Sequence, residues 1–182
     1  MMTARVYRTA ILLLTSSLLI FTFFVPTSLA QELTEEEQIE RLITTFASDP
    51  ELGMEQLEEL AEENPGLAVL TIVELAKEIP EAAVIAIPSL AEINPEVAAR
   101  GLVAICRVYA LLTETQPRLA ATLKAVLTES VVQMVETAPG AVAVVVQSCL
   151  QCNPELGESL EEEAIAAGLE RDYLLAASPI MP

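Results

Sequence analysis

Broken before each X-Pro pair, residues 49–98 read DPELGMEQLEELAEE, NPGLAVLTIVELAKE, IPEAAVIAIPSLAEI and NPEVA. Pro50, Pro65, Pro80 and Pro95 stand fifteen residues apart, and Asp49, Asn64 or Asn94 precedes three of them. An Asp or Asn side chain accepts a hydrogen bond from a free N–H of a helix's first turn. Proline in that turn lacks only an N–H that would have had no partner. Each beat therefore ends one helix and starts another, and Asn153-Pro154 restores it later in the chain.

Stacking the fifteen-residue units on one another shows which columns repeat. Leu57, Ile72, Ile87 and Leu102 share one column, and Leu60, Leu75, Leu90 and Ile105 another. A third holds Leu52, Leu67, Ala82 and Val97. Two columns are small: Gly53, Ala68, Ala83, Ala98, and Ala61, Ala76, Ala91, Cys106. Large apolar columns at helical spacing predict the buried face. The small columns predict close approach of neighbouring helices. Turns this short force consecutive helices to run antiparallel, so two units make a thirty-residue hairpin. Pro88 falls inside the third unit, where it predicts a kink from the lost hydrogen bond to Val84.

Upstream, Thr34-Glu35-Glu36-Glu37 is a capping box. It opens a helix with Ile39, Leu42, Ile43 and Phe46 on one face. Downstream the beat loosens. Thr113 to Gln116 is a polar connection, Pro117 and Pro139 open two further helices, and Asn153-Pro154 opens one with an acidic face at Glu161, Glu162 and Glu163. Gly168 predicts a helix C-terminus, and 178–182 predict a frayed tail. The fold class expected is all-α: about eight short antiparallel helices, as an α-solenoid or a compact bundle. The pattern resembles α-solenoids in general, HEAT-like helical pairs included. Its hairpin is shorter than HEAT or tetratricopeptide units, and the Trp, Gly and Tyr marks of the latter are missing.

The first thirty residues read as a signal peptide. Arg5 and Arg8 precede an apolar run from Ala10 to Val25, and Ser28-Leu29-Ala30 supplies small residues for cleavage. The rival reading is a membrane anchor, but sixteen residues fall short of the roughly 20 a spanning helix needs. The organisation expected is a signal peptide over 1–30, one helical repeat domain over 31–177, and export to the periplasm or beyond the cell.

Charge narrows the partners. The chain has 27 acidic and nine basic residues, a net charge of −18. Nucleic acid is excluded, because its binding rests on neutralising phosphates. Adhesion to anionic lipid through basic residues is disfavoured on the same ground. There is no tryptophan. Past the signal only Phe46, Tyr109 and Tyr173 are aromatic, so the anchors of tight interfaces are scarce.

Catalytic residue types are thin. The chain has no histidine, which removes histidine-activated nucleophiles and the usual zinc sites. The glutamate runs match no calcium loop and read as solvated helix faces. No catalytic, cofactor-binding or metal residue is predicted, and no cofactor. Cys149-Leu150-Gln151-Cys152 has the spacing of a redox pair, yet it ends a helix, where the dipole opposes a thiolate. A structural disulfide is expected instead, Cys149–Cys152 first, with Cys106–Cys149 as rival. The functional expectation is an exported, non-enzymatic module that binds a protein partner or itself. The alternatives are a membrane-active protein inserting Ala82–Ile87 and Ala141–Val146, and an enzyme using glutamates.

Overall fold

The computed structural model describes residues 33–180, so the expected signal peptide lies outside the described residues. Within them are nine helices and no strand. They are α1 (Glu35–Ser48), α2 (Pro50–Glu63), α3 (Pro65–Glu78), α4 (Pro80–Ile93), α5 (Pro95–Leu112), α6 (Pro117–Met134), α7 (Pro139–Cys152), α8 (Pro154–Ala166) and α9 (Arg171–Ala176).

The fifteen-residue beat is a fourteen-residue helix plus one residue. Asp49 shows how a single residue closes and opens a helix. Its N–H donates to the Thr45 carbonyl at 2.7 Å, completing α1, and its own carbonyl accepts from Gly53 N–H at 2.9 Å, beginning α2. Its side chain meanwhile accepts from Leu52 N–H at 3.2 Å. The residue itself is extended, with φ −147° and ψ 90°, because the following proline ring keeps it out of the helical region. Asn64, Asn94 and Asn153 repeat the arrangement onto Leu67, Val97 and Leu156. Ile79 keeps the extended backbone but offers no side-chain cap; its side chain packs on the core instead. The Thr34–Glu37 capping box forms as expected, and the hydrogen bonds from Thr34 hold the Glu37 carboxyl below its ordinary pKa.

The stretch that looked irregular has its own period. Pro95, Pro117 and Pro139 stand 22 residues apart. α5 and α6 have eighteen residues each, one turn more than their neighbours, and a four-residue connector follows each. Glu114-Thr115 and Glu136-Thr137 occupy matching places in the two connectors. A turn added to both members of a hairpin lengthens it by about 6 Å and leaves the pairing intact.

Helices pack on their chain neighbours and on the helix two places along. α1, α3, α5 and α7 form one layer; α2, α4, α6 and α8 form the other. α9 lies against α7 and extends the first layer. The pairing runs from neighbour to neighbour, as in a stack of hairpins, and the core follows it. The columns Leu57/Ile72/Ile87/Leu102 and Ala61/Ala76/Ala91/Cys106 are buried at every position, as is the small column from Gly53 to Ala98. Burying one such Leu or Ile stabilises the fold by about 1.5–3 kcal/mol.

Glycines allow the closest approaches. A Cβ on Gly53 would stand 2.7 Å from the Phe46 ring, and one on Gly101 would stand 2.8 Å from Ile72. One on Gly157 would stand 2.5 Å from the Leu150 Cα, where α8 crosses α7.

Two expectations change. Leu52 is 42 % exposed, although Leu67 and Val97 in its column are buried. Its helix lies at the end of the second layer, where no further described helix packs on that face. Pro88 lies inside α4, which continues past it to Ile93. The tail is not frayed as far as Ile180, because that residue is hydrogen-bonded to α5 and α7.

Gly168 is the helix terminator expected of it. At φ 109° it lets its own N–H reach the Ile165 carbonyl and the Leu169 N–H reach Ala164. That is the Schellman arrangement, with Leu169 buried beyond it.

Candidate functional site: the α5–α7 seam

In the first layer α5 and α7 lie side by side, and their seam carries the buried Ser148 and two buried cysteines. α5 contributes Cys106 and Arg107. α7 contributes Val144, Ser148, Cys149 and Cys152. Ser148 is buried in the middle of its helix, and its hydroxyl donates to the Val144 carbonyl at 2.7 Å. A serine turned back on the preceding turn in this way still has acceptor capacity. Ile180 N–H uses it, at 2.8 Å. Arg107 Nη2 donates to the carbonyl of the same Ile180 at 3.1 Å. Both backbone groups of one residue of the tail are thus held by side chains of the stack.

Beside this clamp lies a cleft of about 570 Å³, lined by the first turns of α5 and α7 and by Ser178 and Ile180. Its size is that of a small-ligand or side-chain pocket. Ala99, Ala141 and Val144 make its walls apolar, and Glu96 and Arg100 stand at its rim. That pair is 3.9 Å apart and open to solvent, so it contributes little to stability.

The three thiols meet at the other end of the seam. All three are free. The ionisation of Cys106 is influenced by both Cys149 and Cys152. The hydrogen bond from Cys149 lowers the Cys106 pKa, and Cys152 and the Arg107 charge act in the same sense. Cys149 is pushed up, by that hydrogen bond and by burial, because ionising it too would set two thiolates side by side. Burial also raises Cys152, and a Cys106 thiolate nearby adds to the rise. The Cys152 thiol donates to the Ser148 carbonyl at 2.9 Å. It is the exposed member, whereas Cys106 and Cys149 are buried.

Neither expected disulfide, Cys149–Cys152 or its rival Cys106–Cys149, is formed in this structure. Cys149 and Cys152 are an i, i+3 pair on the last turn of α7. The caps Thr34, Asp49, Asn64, Asn94 and Asn153 serve helix ends and do not converge on a site. Sequence reasoning missed Arg107, Ser148 and Ile180. Nothing in their local pattern marks them, because Ile180 lies 73 residues from one partner and 32 from the other.

Elsewhere, Glu36, Glu40, Glu74 and Glu78 line an acidic groove between α1 and α3. Among the described residues no group of His, Cys, Asp or Glu is arranged to hold a metal ion. No described helix is long and apolar enough to cross a membrane. The apolar segment 141–146 is largely buried, and of 82–87 Ile85 stands out at 69 % exposure. Comparison with protein-family models, curated proteins and solved structures finds no match to this chain.

Proposed function

We propose that this protein is an exported, non-enzymatic binding module that holds an extended peptide segment of a partner protein in the α5–α7 groove. The observation that supports it is the treatment of Ile180. Arg107 and Ser148 grip its carbonyl and its N–H, which any extended residue could offer, and the adjoining apolar cleft can take a side chain. The chain's own tail is then the reference ligand for the groove. Stacked helices commonly present grooves of this kind to partners. Export is supported by the Arg5/Arg8, apolar and Ser28-Leu29-Ala30 sequence of the first thirty residues. The strong acidic excess favours partners with basic flanks and disfavours nucleic acid.

The test uses a chain ending at Ala177 and a synthetic peptide of residues 177–182, followed by NMR titration. The peptide should shift resonances of α5 and α7 around Arg107 and Ser148. Arg107→Ala with Ser148→Ala should abolish those shifts while the far helices α1 and α2 stay unchanged. A tail-less chain that folds but shows no shift on peptide addition would overturn the reading.

A further inference from the structure

In the second layer α2, α4 and α6 lie side by side. Ile85, halfway along α4, is the most exposed large apolar side chain that these three helices carry, at 69 %. It forms a ridge between two clefts and lines both. One, of about 310 Å³ between α2 and α4, has Pro50, Met54 and Ala82 in its walls. The other, of about 480 Å³ between α4 and α6, has Val84, Ala125 and Val126. The polar groups of this face are acceptors. Glu81 lines both clefts and Glu129 the second, and no described Lys or Arg lines either. The Thr122 hydroxyl, also in the second cleft, is spent as a donor on the Arg118 carbonyl at 3.2 Å. Pro88 has no N–H, so the Val84 carbonyl lacks its ordinary helical donor. Apolar walls with acceptors and negative charge are complemented by aliphatic side chains flanked by cationic donors. A second copy of this chain fits badly, since each brings a net charge of −18.

We propose that the face around Ile85 is a docking site for a cationic amphipathic helix of a partner protein, laid across α4. The spacing supports a helix as the occupant. The clefts flank a single helix, so they stand about one helix spacing apart, roughly 8–10 Å. Residues i and i+7 of a helix share a face and lie about 10.5 Å apart. A helix crossing α4 therefore sets one aliphatic side chain in each cleft, with Ile85 packed between them. Lys or Arg beside those anchors meets Glu81, Glu129 and the Val84 carbonyl. This site is separate from the α5–α7 groove, which belongs to the other layer.

The probe is a labelled model peptide, two repeats of Leu-Lys-Lys-Leu-Leu-Lys-Leu, which places leucines at i and i+7 on one face. Its binding is followed by fluorescence anisotropy and mapped by amide NMR. A scramble of the same composition keeps the charge and loses the apolar face. The natural chain should bind the probe and not the scramble, more weakly as salt is added. Ile85→Asp should weaken binding by about tenfold or more. That variant gains negative charge, so attraction by charge alone would leave its binding intact. Glu81→Gln with Glu129→Gln should weaken binding several-fold, whereas Glu162→Gln with Glu163→Gln, the same charge change on α8, should not. Circular dichroism confirms that each variant is folded. NMR shifts should gather on α2, α4 and α6 around Ile85 and leave Arg107 and Ser148 unmoved. Equal binding of the scramble, an Ile85→Asp chain that binds as the natural one does, or shifts centred elsewhere would overturn the proposal. So would a natural dimer that Ile85→Asp makes monomeric, because a second copy would then cover this face.

Discussion

At Asn94 one side-chain oxygen accepts the Val97 N–H at 3.2 Å, and the same residue's N–H closes α4 on the Leu90 carbonyl. Alanine keeps the backbone half of this junction and loses the side-chain half. Replacing a capping Asn by Ala costs about 1 kcal/mol. Asn64→Ala, Asn94→Ala and Asn153→Ala should each lower the unfolding free energy by that amount, seen as a lower urea midpoint with an unchanged denaturant slope. Ile79→Ala is the contrast. Its side chain caps nothing, so its loss is one of apolar contact, and adding Asn there should recover part of it. Equal losses at Asn94 and at an exposed non-cap position such as Gln133 would refute the capping account. These residues were readable from the sequence because a cap is local: donor and acceptor lie three residues apart. The Arg107–Ile180 bond has no such local trace.

Between elements, the contacts that matter are set by what a helix lacks. Gly157 admits the Leu150 backbone, and Gly101 admits Ile72. A methyl group at Gly157 meets main chain that cannot turn aside, so Gly157→Ala should destabilise by about 1–3 kcal/mol. At Gly101 the obstacle is a side chain, and the loss should be smaller. Gly140 has nothing within 4 Å of an added Cβ and an ordinary helical backbone, so Gly140→Ala should stabilise by about 0.4–1 kcal/mol. Thermal or urea unfolding of the three variants gives the order directly; Gly157→Ala as tolerant as Gly140→Ala would mean that α7 and α8 are not so closely packed. The positions of the helix starts were legible, since Pro50, Pro65, Pro80, Pro95, Pro117, Pro139 and Pro154 each begin one. The buried columns were legible too. What the columns could not give was the layer to which each helix belongs, because every unit repeats the same pattern whichever neighbours it meets. Leu52 shows the consequence: it shares a column with the buried Leu67 and Val97 but sits at an end of the stack. The thiol cluster was half legible. Cys106 and Cys149 could be placed in core columns, but which thiols face one another depends on how α5 and α7 sit together.

Across the molecule, stability is a sum over adjoining hairpins, and the sum is weakest where a helix has fewest neighbours. The charge is concentrated at those same ends. α2 carries Glu51, Glu55, Glu58, Glu59, Glu62 and Glu63, and α8 carries Glu155, Glu158, Glu161, Glu162 and Glu163. Glu51–Glu55, Glu55–Glu59, Glu58–Glu62 and Glu59–Glu63 are like-charge i, i+4 pairs, each unfavourable by about 0.2–0.5 kcal/mol. Ion pairs that salt could weaken are few among the described residues: Lys77–Glu74 and Arg100–Glu96. Salt therefore relieves more repulsion than it removes attraction. Raising ionic strength from about 0.01 M to 0.15 M shortens the screening length from about 30 Å to 8 Å. The urea midpoint should rise over that range, urea being chosen because it adds no ions of its own. Because the relief falls on α2 and α8, amide exchange in those helices should slow with salt by a larger factor than in α5, which is buried and bears little charge. A midpoint that falls with salt, or exchange that slows uniformly along the stack, would show that repulsion within the end helices does not limit this protein's stability.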